Sequence, residues 1–400
     1  MGKRQHYIPQ FYLRFFSEDN KTVSIFLFLK KLYRRNVPIK SIMYKPSLYD
    51  NDDSKEQVIS HLESQWNISL KKIIKCFGAS PSADTKYVID KVDLLNLYSF
   101  VCFTFMRTCQ QINAIEFQSQ AFIRDLQERF PEIDPSGVDA LKPLHDPYFE
   151  ANMALDGGVT LLPYFLDLVP VFLLNTTTRS FISSDAPITP FNPFFEEIGY
   201  LGDTGLGNCG LQIYCPLSPK IAVIFYDSDI YRFEGVDYPI VQTIESLADV
   251  RALNGLIVDH SYEVIVMPPS YPQCEIKGLC KDKKRSFSGV ALDICETSNK
   301  SNPILYCSHF VQIKSNYVLP RMKIAPTASM IKFPNNSAGP LRSSVRALVD
   351  NRKLDAAVPS SDEKPFVSTR IGTYTPEGFV KASPYNGPKG YYIDPGGPIE

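Results

Sequence analysis

The chain has 400 residues, of which 44% are hydrophobic and 21% charged, and this composition predicts a globular protein with a large core. The net charge of −1 excludes an overall electrostatic attraction to nucleic acid or to an anionic membrane, so either partner would need a local basic patch. No run of about 18 uncharged apolar residues occurs, so we expect no membrane-spanning helix. The nine cysteines form no C-x-x-C pair and no apolar leader opens the chain, which together predict reduced thiols and a cytoplasmic location.

The N-terminal part of the chain is expected to be mainly helical after one early strand. Residues 6–16 have the sequence HYIPQFYLRFF, in which Pro9 predicts a turn followed by a short helix. Residues 23–31 are apolar at nearly every position, as in a strand covered on both faces. Helical spacing of apolar residues then predicts a helix at about 55–76 and a long one at about 92–130, whose first half should run through the core.

Strand signals dominate the chain after Pro170. Before that point, Asp-Pro pairs at Asp134 and Asp146 predict helix starts, and Gly157-Gly158 predicts a break. After it, short runs rich in Val, Ile, Phe and Tyr predict strands at 171–174, 180–183, 211–215 and 221–226. A helix is predicted at about 240–259, followed by strands at 261–267 and 304–313.

The separation of helices from strands predicts an α+β fold, with a helical N-terminal half packed on a mostly antiparallel sheet from the C-terminal half. We expect one domain over 1–330, helical at about 50–170 and strand-rich at about 171–330. The early strand at Val23 is expected to join the later sheet. Residues 331–400, rich in Pro, Gly and Tyr, are expected to form an extended tail that is either disordered or laid as a strap over the body.

His6 is the first candidate for chemistry, because a neutral imidazole can take or give a proton near pH 7. Gln10 and Arg14 follow it at intervals of four residues, so in a helix they project from the same side. Arg14 can clamp a phosphate or a carboxylate through two parallel hydrogen bonds. The alternative is that His6 and Arg14 are buried structural residues that connect the two halves.

Two charged residues further along the chain are also candidates. Asp185, in the sequence SSDAP, follows a predicted strand and is placed to point into a cleft; alternatively, it caps backbone amides in a turn. Arg107 directly follows a long apolar run, and a buried arginine must be paired. Its expected partner is Asp185, Glu63 or the anion of a ligand, and a purely structural ion pair is the alternative.

Two other patterns are rejected as sites. Residues 205–210 match G-x-G-x-x-G by letter, but a strand is predicted after them where a dinucleotide-binding fold requires a helix. The cysteine pairs 209/215 and 274/280 have no nearby histidine pair, so we expect no metal site. No cofactor is assigned.

The N-terminal motif at 6–16 resembles the signature of the family known as domain of unknown function 4238. Three further stretches agree with it, namely FMRT at 105–108, FISSDAP at 181–187 and PLSP at 216–219, and the run ending at Asn254 resembles the family's late helix. The resemblance covers about residues 4–270 and implies that the positions to watch are His6, Gln10, Arg14, Arg107 and Asp185. Around them we place substrate-binding candidates at Tyr7, Tyr12, Glu63, Ser184 and Asn254.

The resemblance carries no function of its own, but the family is similar in distribution to bacterial accessory proteins of defence or toxin type. A weaker similarity links His-x-x-Pro-Gln to the opening of HNH nucleases. It departs from them at Gln5, which stands where a metal-binding acid is expected, and no closing His or Asn can be assigned.

Our leading hypothesis is an intracellular bacterial effector that acts on nucleic acid or a nucleotide, for example as a nuclease. In it His6 is the general acid or base, Arg14 and Arg107 neutralise phosphate charge, and Asp185 orients His6 or a nucleophile. The alternative is a non-catalytic ligand-binding or sensor module in which the polar cluster is structural. A partner protein or a homo-oligomer is left open.

Overall fold

The computed structural model describes residues 4–28, 30–50, 54–78, 88–132, 137–195, 205–235, 241–282, 317–326 and 341–351, four single positions (52, 134, 315 and 328), and strands at 290–296, 304–310, 367–375 and 378–381. Within these residues the protein is α+β, as the sequence predicts. Its helices are α1 (Gln10–Arg14), α2 (Ser54–Gly78), α3 (Lys91–Met106), α4 (Cys109–Arg129), α5 (Phe149–Thr160), α6 (Leu247–His260), α7 (Gln273–Asp282) and α8 (Ser343–Asn351).

The strands are mostly short and antiparallel. They are β1 (Arg4–His6), β2 (Thr22–Leu27), β3 (Leu32–Pro38), β4 (Tyr44–Pro46), β5 (Val169–Asn175), β6 (Ser183–Ser184), β7 (Thr189–Phe191), β8 (Gln212–Pro216), β9 (Ile221–Tyr226), β10 (Tyr231–Phe233), β11 (Val241–Ile244), β12 (Val264–Met267), β13 (Val290–Glu296), β14 (Ile304–Phe310), β15 (Met322–Ile324), β16 (Val367–Thr375) and β17 (Gly378–Lys381).

Two sheets organise the body. A five-stranded sheet has the order β11-β5-β9-β8-β7, with one parallel pair, β11 and β5. A four-stranded antiparallel sheet has the order β3-β2-β12-β6. Smaller pairings join β1 to β4 and β10 to β15, and the strands β14-β13-β16-β17 form a further antiparallel sheet. The early strand β2 therefore joins β12 from the second half, as predicted, and brings the N-terminal motif against it.

The five-stranded sheet separates two hydrophobic cores, and alternate residues of its strands face opposite ways. On β8, Ile213 and Cys215 face the first core with α2, α3 and α5, whereas Tyr214 faces the second core with α6 and α7. Ring contacts bind the helices to the sheet on the first side, including Phe77 with Phe172, whose centroids lie 4.4 Å apart. Burial on both faces explains why these strands are apolar at nearly every position.

The long helix predicted at 92–130 is in fact two helices. Helix α3 ends at Met106, and α4 begins at Cys109 after Thr108, whose side chain caps it by accepting a hydrogen bond from Gln111 N–H. A Thr ahead of a polar first turn is an N-cap signal that interrupts an otherwise continuous pattern. Arg107 therefore lies in the break between two helices.

The predicted break at Gly157-Gly158 is wrong, because α5 continues through both glycines to Thr160. A Cβ at Gly157 would lie 2.5 Å from Met106 Cε, and one at Gly158 would lie 2.8 Å from Phe103 Cδ1. The glycines let α5 approach α3 closely, so here they serve packing instead of ending a helix. The helix predicted from residue 240 also begins later, since β11 precedes α6.

Part of the chain beyond residue 315 packs onto the body. Leu319 and Met322 are buried in the second core, and β15 pairs with β10. Arg342, just before α8, is 3% exposed and forms a two-bond ion pair with Asp167. The predicted tail at 331–400 lies mainly outside the described residues, and the domain boundaries stay predictions. No helix in the described ranges is both long and apolar enough to cross a membrane.

Candidate functional site

His6 is held by the end of β1 and the start of α1. It pairs with Tyr44 of β4, and the two rings lie 5.6 Å apart. Pro9 then begins α1, in which Phe11, Tyr12 and Leu13 are buried in the first core. Because those side chains point inward, Gln10 and Arg14 lie on the remaining side of the short helix. The side chain of His6 is 9% exposed.

A chain of contacts from the surface fixes the proton position on His6. Arg14 is exposed, and its Nη2 donates to Gln10 Oε1 at 3.4 Å. Since a guanidinium can only donate, Gln10 must turn its oxygen to Arg14 and its NH₂ to His6. Gln10 Nε2 lies 3.4 Å from His6 Nδ1, and with the amide in this orientation Nδ1 accepts and the ring proton is on Nε2. The Nε2–H group is buried and has no hydrogen bond of normal geometry among the described residues, although the Lys40 carbonyl lies near enough to raise the pKa of the ring.

Arg107 is the most enclosed member of the predicted site, with no exposed surface. Its Nη2 donates to Glu63 Oε1 at 2.6 Å, so Glu63 is the carboxylate partner among those considered from the sequence. Its Nε and Nη1 are buried without a partner in the described part of the chain. Burial acts to lower the pKa of Arg107, but Glu63, Tyr49 and Glu56 outweigh it and the pKa is raised, so the guanidinium stays charged.

Tyr49 completes this cluster and was not predicted from the sequence. Its hydroxyl is fully buried and has no partner within the described residues. Burial raises the pKa of Tyr49 well above its usual value, while the charge of Arg107 acts in the opposite direction. Gln5 Oε1 accepts from Tyr49 N–H at 2.7 Å, and Gln5 Nε2 donates to Asp50 Oδ1 at 2.8 Å. Asp50 Oδ2 in turn accepts the Lys55 N–H in the first turn of α2, which holds the loop that carries Tyr49 against the helix.

The electrostatic surroundings of His6 are positive. Burial is the largest cause of a pKa lowered to about 4, and three arginines act in the same direction: Arg107, Arg4 and Arg14. The backbone carbonyl of Lys40 opposes them. At neutral pH the imidazole is therefore uncharged, and its free edge is an N–H donor in a field that favours negative charge.

Asp185 does not belong to this cluster. Its two carboxylate oxygens accept three backbone N–H bonds, at 2.7 to 3.0 Å, from Tyr262, Glu263 and Val264. These contacts tie β6 to the start of β12, which is the structural alternative considered from the sequence. Burial raises the pKa of Asp185 to about 7 although the three N–H bonds oppose it. No hydrogen bond joins Asp185 to His6 in the described residues, so the expected role of Asp185 in orienting His6 is not supported by this geometry.

The remaining predicted residues also make structural contacts. The hydroxyl of Tyr12 contacts Ser183 Oγ and donates to the Pro216 carbonyl, each at 2.8 Å. Ser184 Oγ accepts from Ala186 N–H at 3.1 Å. Asn254, on α6, accepts from Ile182 N–H and donates to the Ser180 carbonyl. All of these residues are buried, and Tyr7 lies beside the Cys109 thiol.

The candidate site that these contacts suggest is compact. It consists of His6, Tyr49 and Arg107, with Glu63 as ion-pair partner and with Gln10 and Arg14 fixing the histidine. We call these three residues the donor cluster, since each offers buried hydrogen-bond donors. Within the described ranges, no three His, Cys, Asp or Glu side chains are grouped so that they could hold a metal ion. An acceptor-rich anion is the species that such a cluster can bind.

Comparison with known proteins shows that the family resemblance reaches well beyond the N-terminal motif. No curated protein and no solved structure matches the chain. The model of one family matches residues 4–270, about two thirds of the sequence, and that region includes every residue of the donor cluster. The chain therefore belongs to the family described as Protein of unknown function (DUF4238).

Proposed function

We propose that this protein binds a phosphate-bearing ligand at the donor cluster. The observation that supports the proposal is a set of buried donors without a hydrogen-bond partner among the described residues: Nε and Nη1 of Arg107 and the hydroxyl of Tyr49, joined by Nε2 of His6 beside the Lys40 carbonyl. Leaving buried donors unmet costs about 1–3 kcal/mol each. Phosphate oxygens only accept hydrogen bonds and carry negative charge, so they match both the donors and the positive field at His6.

Binding is better supported than proton transfer by His6. With the proton on Nε2, the free edge of the ring cannot accept another, and a pKa of about 4 makes the imidazole a weak base at pH 7. In the described residues the Asp185 carboxylate bonds backbone N–H groups and does not contact the imidazole. A ligand-binding or sensor role, the alternative from the sequence, is therefore the form of the hypothesis that we favour. A nuclease, defence or toxin activity stays a prediction and needs a base other than His6 Nε2.

The enclosed position of Arg107 supports a small ligand or a terminal phosphate. A phosphodiester within a polymer carries nucleotides on both sides and would have to thread them past buried side chains. A nucleotide, a sugar phosphate or the end of a nucleic acid presents a phosphate group on one side alone. A cytoplasmic location fits such ligands and stays part of the proposal.

Thermal unfolding with inorganic phosphate as the added ligand tests the proposal. A ligand at 100 times its Kd stabilises a protein by about 2.7 kcal/mol, which is a readily measured rise in Tm. We expect this rise for the wild-type chain. Tyr49→Phe removes one free hydroxyl while preserving the ring, and should reduce the rise in Tm at a fixed phosphate concentration. His6→Gln should reduce it further, because it disturbs the Gln10 contact as well.

Tyr214→Phe is the matched control, since the Tyr214 hydroxyl is also buried without a protein partner in the described chain but faces the second core. It should leave the response to phosphate unchanged. Equal responses from the wild-type chain, Tyr49→Phe and His6→Gln would mean that phosphate binds elsewhere, and no response at all would remove the proposal.

A further inference from the structure

Two arginines lie outside the donor cluster and act on it from the solvent side. Arg4 and Arg14 are exposed, yet both lower the pKa of the buried His6 ring. Their fields therefore reach the position where a bound anion would lie. We call these two residues the arginine rim.

Neither rim residue is neutralised by a carboxylate of the described residues. Arg4 donates to the Lys40 carbonyl at 3.4 Å, and Arg14 donates to the amide oxygen of Gln10. Neither guanidinium forms an ion pair with a carboxylate in the described part of the chain. In contrast, Arg179 and Arg342 pair with Glu275 and Asp167.

The rim is also held in place. The Arg4 guanidinium lies 4.7 Å from the centre of the Tyr44 ring, and that ring in turn contacts His6. Arg14 is held by Gln10, which links it to His6. A cation fixed before binding loses less conformational entropy when it meets an anion. The rim is thus a second, prearranged cationic layer above the buried one.

The two layers differ in depth, with the Gln10 side chain between them. Arg107 is fully buried, whereas Arg4 and Arg14 are exposed. A single phosphate group at Arg107 is confined to the inner layer. A ligand with two linked anionic groups can place one at the donor cluster and the other at the arginine rim.

We propose that the ligand of this site is a diphosphate-type molecule, whose inner phosphate contacts the donor cluster and whose outer phosphate contacts Arg4 and Arg14. This inference rests on the proposed function and specifies the class of ligand. It involves no covalent step. Inorganic pyrophosphate is the simplest probe, with inorganic phosphate as its one-group counterpart.

Isothermal titration of both probes into the full chain at 0.15 M salt tests the proposal, because charges separated by more than about 8 Å are then largely screened. We expect pyrophosphate to bind the wild-type chain at least about tenfold more tightly than phosphate, a difference of about 1.4 kcal/mol. Arg4→Gln should reduce that ratio towards one and change the Kd for phosphate much less than the Kd for pyrophosphate.

Arg35→Gln is the matched control, because Arg35 is also an exposed strand arginine, with its guanidinium 5.8 Å from the Tyr33 ring centre. It should leave the ratio unchanged. Equal affinities of the two probes for the wild-type chain, or a ratio that survives Arg4→Gln, would overturn the diphosphate inference while phosphate binding still stood. If neither probe bound, the proposed function itself would fail.

Discussion

Arg107 and Glu63 form an ion pair of unequal burial: the side chain of Arg107 is 1% exposed, and that of Glu63 is 23% exposed. Glu63 can be hydrated if it loses its partner, but Arg107 cannot. Breaking a buried pair by removing one partner typically costs about 3–5 kcal/mol because a charge is left uncompensated. The two halves of this pair should therefore differ in their tolerance to substitution.

Glu63→Gln should lower the free energy of unfolding by about 3 kcal/mol, because it leaves the buried guanidinium without a counter-charge. Added phosphate should restore more stability to Glu63→Gln than it adds to the wild-type chain, since the anion replaces the lost carboxylate. Urea unfolding with and without phosphate measures both quantities. A smaller phosphate effect in the variant would contradict an anion site at Arg107.

Asp185→Asn should destabilise the fold without affecting ligand binding. An amide NH₂ replaces one of two oxygens that accept three backbone N–H bonds, so we expect a loss of about 2–3 kcal/mol. Phosphate titration of the folded variant should give the wild-type Kd. If the folded Asp185→Asn protein did not bind phosphate, Asp185 would have to be counted as part of the binding site.

His6 should make the protein less stable in mild acid. Its pKa is lowered to about 4 in the folded chain, against about 6.5 when unfolded, so the unfolded state binds more protons between these values. The contribution of His6 to the free energy of unfolding is fully present above about pH 6.5. It decreases as the pH falls towards 4, by about 3 kcal/mol in total. His260 shifts in the same direction, whereas Asp185, with its raised pKa, acts oppositely.

The contribution of His6 can be isolated by comparison with His6→Gln, because the other groups are common to both proteins. Urea unfolding at pH 7.5 and pH 5 should show a larger loss of stability for the wild-type chain than for the variant. Equal losses would mean that the imidazole of the folded protein titrates at its ordinary pKa.

Two fully buried tyrosines should respond differently to loss of the hydroxyl. Tyr12 bridges Ser183 and the Pro216 carbonyl, whereas the Tyr214 hydroxyl has no protein partner in the described chain. Tyr12→Phe should cost about 1–2 kcal/mol, and Tyr214→Phe clearly less. Denaturant midpoints of the two variants provide the measurement, and similar costs would show that the Tyr214 hydroxyl is satisfied in solution.

Arg342 should control the docking of the segment that leads into α8. It donates to Asp167 and to the carbonyls of Asn208 and Tyr164, and Arg342 N–H donates to Gly207. Arg342→Met should release residues 341–351 while the body stays folded. Hydrogen exchange should then lose protection in this segment and keep it in β8 and β9; loss of protection throughout would indicate a global role.

The elements that could be predicted from the sequence are those set by the local pattern of apolar and polar residues. Helix α2 and strands β5, β8 and β9 follow from apolar spacing that is interrupted by turn residues. The errors arose where tertiary packing overrides that pattern. Gly157 and Gly158 remain helical because α5 packs closely on α3, and Thr108 divides an apolar run that looks continuous.

The donor cluster was predicted in part, for a related reason. Gln10 and Arg14 are one turn apart in α1, so their contact follows from helical spacing, whereas His6 ends β1 and meets Gln10 across the turn at Pro9. Arg107 was found because an arginine after an apolar run must be buried and paired. Tyr49 could not be found in this way, since its place depends on how Gln5 holds the loop before α2. Asp185 is a charged residue directly after a predicted strand, which is typical of a site residue. Its contacts with the backbone of residues 262–264 could be identified only from the fold.

The packing of the later chain has a practical consequence for anyone who expresses the family region by itself. A shortened protein ending at residue 270 would contain the whole donor cluster. However, it would lose Glu275 as the partner of Arg179 and Arg342 as the partner of Asp167. It would also uncover the side of the five-stranded sheet that Leu319 and Met322 help to bury. Such exposed apolar surface promotes aggregation, so a usable shorter protein should extend through residue 351.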